Sequence, residues 1–184
     1  MTGSDGYELL WFALSLCQGG LMLYAAWHDA RTRTFPNALA FAFALVCAMR
    51  AVVEGGYHPE LATAVAGDLE PGAFLLSDGL KALEGHAVAA AVVFGMLFAF
   101  ELAWRHARRD AGLGMGDAKF LFGLMLVRPL AALLAFAGGL LLMAVAGLVL
   151  RRRALPVLPF VVGAYGVVLV SMLAVPPTLP SIGL

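Results

Sequence analysis

Long apolar segments alternate with short polar joints along the chain. A helix needs about 20 apolar residues to cross a lipid core. Six stretches read as such helices: about 8–28, 37–53, 86–105, 112–128, 129–150 and 156–175. The joints carry start signals. Asn37, just after Pro36, is placed to cap the second helix. Pro129 suits the first turn of the fifth, and Pro156 and Pro159 start or bend the sixth. One connection is long, about 54–85. It holds Glu54, Glu60, Asp68, Glu70, Asp78 and Glu84 against Lys81, with a short surface helix expected near Phe74–Leu83. No internal repeat is visible. Residues 1–184 read as one all-α, polytopic membrane domain.

Composition supports this. The chain is 62% hydrophobic and 13% charged, where a soluble domain carries about 25% charged residues. The formal net charge is zero, so no basic balance points to nucleic acid. Cys17 and Cys47 lie in apolar runs without CxxC spacing, which favours neither a zinc site nor a disulfide. No metal cluster and no cofactor are implied. The acidic start (Asp5, Glu8) is unlike the basic start of a cleavable signal peptide.

Basic residues set the expected orientation, since they favour the cytoplasmic side of short loops. Arg31 and Arg33 follow the first span, Arg105, Arg108 and Arg109 the third, and Arg151, Arg152 and Arg153 the fifth. If six spans alternate, all three groups share one side, and both termini lie on the non-cytoplasmic side. Arg50 is the exception, near the outer end of the second span, where it is expected to snorkel.

Two acids then share the cytoplasmic side. Asp29 ends the first span, and Asp117 sits near the start of the fourth. After Lys119 the purely apolar run is only Phe120 to Val127. Eight residues rise about 12 Å, far short of a core of about 30 Å. The fourth helix is therefore expected to begin upstream and to draw Gly112–Lys119 into the membrane zone. Asp117 becomes an intramembrane carboxylate, a functional candidate by default. Lys119 is not its natural partner, because residues two apart do not share a helix face. The bland alternatives are an interfacial Asp29 paired with Arg31 or Arg33, and an Asp117 paired with a loop arginine. If the first and fourth helices pack together, the two carboxylates can meet. Two acids sharing a proton can activate water and protonate a peptide leaving group, as in aspartic proteases. Glycines beside one acid let a peptide backbone approach.

These residues resemble the type IV prepilin peptidase family, membrane aspartic proteases of the GxGD class. Asp29-Ala-Arg31-Thr-Arg33-Thr-Phe35-Pro36-Asn37 is similar to the first aspartate motif. Gly114-Met-Gly116-Asp117-Ala-Lys119 is similar to the second, and Leu158-Pro159-Phe160 to a late element. Phe35 stands where the family usually has Ile or Leu, and Val161-Val162 replaces the frequent Gly-Pro. The cytoplasmic insertion with paired CxxC motifs, found in members that also methylate, has no counterpart. The resemblance implies a short, peptidase-only member, of the kind that serves Flp/Tad-type or related pili. It implies catalytic Asp29 and Asp117, with Gly114, Gly116, Lys119, Arg31 and Arg33 near the substrate. It implies cleavage of the short basic leader of pilin-like precursors (prepilins or pseudopilins) at the cytoplasmic face of a bacterial inner membrane. Substrate and lipid bilayer are the implied partners, and the oligomeric state is open.

The competing reading is a small ion- or proton-coupled transporter using the same acids. The acids lie near one face instead of the midplane, and no inverted repeat is evident, which counts against it. Presenilin-type proteases pair GxGD with Tyr-Asp in the preceding span, where this chain has Glu101.

Overall fold

The structure is a computed structural model and describes residues 3–58, 73–108, 114–151 and 155–174. Among these are six helices: α1 (Gly3–Thr32), α2 (Asn37–Gly56), α3 (Leu76–Arg108), α4 (Met115–Val127), α5 (Pro129–Leu150) and α6 (Leu158–Ala174). Four of them, α1, α2, α3 and α5, are long and apolar enough to cross a membrane. Two short strands, β1 (Tyr57–His58) and β2 (Ala73–Phe74), pair antiparallel, Tyr57 opposite Phe74.

The expected long loop is shorter than 54–85. α2 runs to Gly56, the strand pair follows, and α3 begins at Leu76. The surface helix expected near Phe74–Leu83 is the first part of α3 and continues without a break into the apolar segment. The acids Glu60, Asp68 and Glu70 lie outside the described residues, as do Arg109, Arg152 and Arg153.

α4 is the centre of the bundle. It packs on α2, α3 and α5, while α1 packs on α2 and α6, and α6 on α5. Phe120, Leu121, Leu124, Met125, Leu126 and Val127 are all buried. Phe43 of α2 stacks on Phe120 with ring centroids 4.8 Å apart. It fits because residue 123 is glycine: a Cβ there would lie 2.7 Å from the Phe43 ring. In contrast, α5 turns Leu141, Leu142, Val145, Leu148 and Val149 outward, as a lipid-facing helix does.

At 13 residues, α4 is about 20 Å long. The upstream start is real but modest: Gly116, Asp117 and Lys119 are helical, Gly114 is the N-cap, and 109–113 lie outside the described residues. The length argument assumed that each span faces lipid alone. Surrounded by protein, α4 can be shorter than the bilayer, because its neighbours supply the apolar contact.

Candidate functional site

Asp29 and Asp117 come to the same end of the bundle, but not through packing of α1 on α4. Those helices are not among the principal contacting pairs. The α1–α2 turn carries the approach. Arg33, in the left-handed region at φ 54°, ends α1, and its N–H donates to Asp29 O at 2.8 Å. Phe35 then lies over the start of α4. A Cβ at position 116 would sit 2.7 Å from Phe35 Cβ, and the Phe35 and Phe120 rings meet edge to face at 5.8 Å. The space that Gly116 leaves is filled by the protein's own Phe35 instead of being kept for a peptide.

Gly114 serves Asp117 directly. A Cβ at 114 would lie 2.9 Å from Asp117 Oδ2. Without it, the carboxylate folds back to the Gly114 backbone N–H. This is the geometry of a capping box, with the acid at the third helical position. Asp117 is 9% exposed.

Asp29 is 8% exposed. Its Oδ2 accepts the Leu158 N–H at 3.2 Å, and the Val157 N–H also bonds the carboxylate. These are unspent donors at the N-terminus of α6, where the helix dipole favours an anion. The Leu-Pro-Phe element works here through its backbone. Pro159, in the first turn, has no N–H to compete, and Leu158 is itself fully buried.

Neither carboxylate belongs to an ion pair among the described residues. His28 and Arg33 act on Asp29 only at longer range. Asp29 is itself within electrostatic reach of Asp117. Lys119 turns away and donates to Asn37 Oδ1 at 2.6 Å. Asn37 therefore does not cap α2: Pro36 holds the N-cap position without a side-chain bond, and the amide ties α2 to α4. The Arg31 guanidinium lies 4.5 Å from the centre of the Trp27 ring. Arg31 and Arg33 stand at the same end as the acids, both exposed. Glu101 is buried and pairs with Arg105 at 2.5 Å.

Comparison of the chain with family models, with curated proteins and with solved structures gives no match. The site is read from its geometry and motifs alone. No group of three or more His, Cys, Asp or Glu side chains that could hold a metal occurs among the described residues.

Sequence reading missed two features. The backbone N–H groups of Val157 and Leu158 leave no side-chain signature. At the opposite end, Arg50 does not snorkel: it is buried and donates to Gln18 Oε1 at 2.6 Å. A lone Gln18 in an apolar helix was the signal that could have found it.

Proposed function

We propose that the protein is an intramembrane-type aspartic endopeptidase of the prepilin peptidase kind. It would remove the short basic leader of pilin-like precursors at the cytoplasmic face of a bacterial inner membrane. The observation that carries this reading is a pair of buried carboxylates from distant parts of the chain. They lie within electrostatic reach of each other and have no cation paired to either. A structural role would be served more cheaply by an acid and a base, since buried charge is costly unless paired.

In this reading Asp29, held by N–H donors from α6, accepts the proton of the attacking water. Asp117 donates a proton to the leaving amine. The hydroxyl adds to the scissile carbonyl carbon, the C–N bond breaks, and the shared proton returns for the next turnover. The exposed Arg31 and Arg33 would meet lipid phosphate or the substrate at the membrane surface.

The test is co-expression with pilin-like precursors, following precursor size. Conversion to a shorter product by the wild type, lost in both Asp29→Asn and Asp117→Asn at unchanged protein level, is the expected result. Full conversion by either variant would falsify the two-aspartate mechanism. Proton flux in liposomes that needs both acids, without any precursor cleavage, would favour the transporter instead.

A further inference from the structure

Between α1 and α6, toward the end away from the aspartates, lies a cavity of about 420 Å³. This falls in the ~300–1,000 Å³ range of small-molecule sites. Met22, Leu23 and Leu169 form apolar walls, while Gln18, Arg50 and Tyr165 line it with polar groups. These three are 1%, 8% and 2% exposed. Gln18 spends its carbonyl on Arg50 Nη1. Gln18 Nε2, Arg50 Nε and Tyr165 Oη close no hydrogen bond of good geometry among the described residues. An amide NH₂ and a guanidinium only donate, so the lining asks for an acceptor. Glu54 Oε2, the unpartnered acceptor nearby, is not part of this lining and faces Arg50 Nε at 3.6 Å.

Charge points the same way. Arg128 also binds Glu54, through Nε at 3.1 Å and through Nη2. Two cations share one carboxylate, which leaves a positive surplus beside the cavity. The groove also has room. A Cβ at Gly19, Gly163 or Gly166 would meet nothing within 4 Å, and Leu23 is exposed. A chain from the bilayer can therefore enter sideways between the helices.

We propose that this cavity binds an anionic amphiphile. Its carboxylate or phosphate is held by Gln18, Arg50 and Tyr165, and its alkyl chain lies in the α1–α6 groove. The proposal does not depend on the peptidase reading. Water alone would satisfy the donors but gives no use to an open apolar groove.

The test uses the purified full-length protein in detergent with three diazirine-bearing probes: a long-chain fatty acid, its methyl ester, and a phosphatidic acid. Cross-linked peptides are mapped by mass spectrometry. Labelling of residues 15–23 and 162–169 by the acid or the phosphatidic acid, and much less by the ester, is expected. Which of the two labels identifies the headgroup. Gly166→Leu fills the groove without touching the donors and should abolish labelling. Tyr165→Phe should weaken it about tenfold, the worth of one hydrogen bond to a charged group. Gel filtration and circular dichroism establish that both variants fold. Equal labelling by the ester, labelling spread evenly over the outward leucines of α5, or labelling untouched by Gly166→Leu would each overturn the proposal.

Discussion

The two ends of the bundle bury charge in opposite ways. At one end Arg50, Glu54 and Arg128 alternate in sign and bond one another across α2 and the α4–α5 turn. At the other, Asp29 and Asp117 have the same sign and face backbone N–H groups instead of cations. The first arrangement lowers the cost of burial and ties helices together. The second raises the cost, because like charges repel most where water is scarce. A fold that keeps such a pair gains nothing in stability from the repulsion, so the acids are better explained by chemistry and the triad by architecture.

The contrast is sharpest in the acids. Asp29→Asn and Asp117→Asn each keep the volume and remove the proton-transfer group. Each should cut precursor processing by at least about 10²-fold, while thermal stability in detergent holds or rises. A fall in stability with processing intact would erase the distinction between the two ends.

Glu54→Gln is the converse experiment. It leaves two arginines without their counter-charge and should cost about 2 kcal/mol, less than a fully buried pair because Glu54 and Arg128 are partly exposed. The melting temperature of the purified protein reads this out. No change would mean that the triad does not hold the outer end together.

Gly116→Ala probes how the acid end is assembled. Its methyl group would meet Phe35 Cβ at 2.7 Å and should cost about 1–3 kcal/mol. Combining it with Phe35→Ala should return part of that loss, a coupling that a double-mutant cycle measures. Strict additivity would show that Phe35 does not press on α4.

Asn37→Ala should have the smallest effect. The bond to Lys119 is exposed, so a loss under about 1 kcal/mol is expected. A larger loss would give the acid end a structural tie comparable to that of the triad.

Much of this architecture was legible in the chain. The apolar segments are long because lipid-facing helices must be, so four helices and their order follow from local pattern. The boundaries that failed did so for tertiary reasons. α3 reaches back to Leu76 through polar residues that the hydropathy pattern assigned to a loop. α4 is short because protein surrounds it. Arg50 looked like an interfacial cation, yet Gln18 and Glu54 give it partners in the interior.

At the candidate site, the sequence by itself determined which residues matter. Asp29 and Asp117 stood out because carboxylates in apolar segments are costly, and that cost depends on residue type and neighbours alone. Only the tertiary structure decided how they meet. Phe35 settles onto Gly116, and the N-terminus of α6 delivers the Val157 and Leu158 N–H groups to Asp29. Backbone donors are the same in every residue but proline, so no sequence pattern marks which of them will be aimed at an acid. That depends on where one helix begins relative to another, which only packing sets.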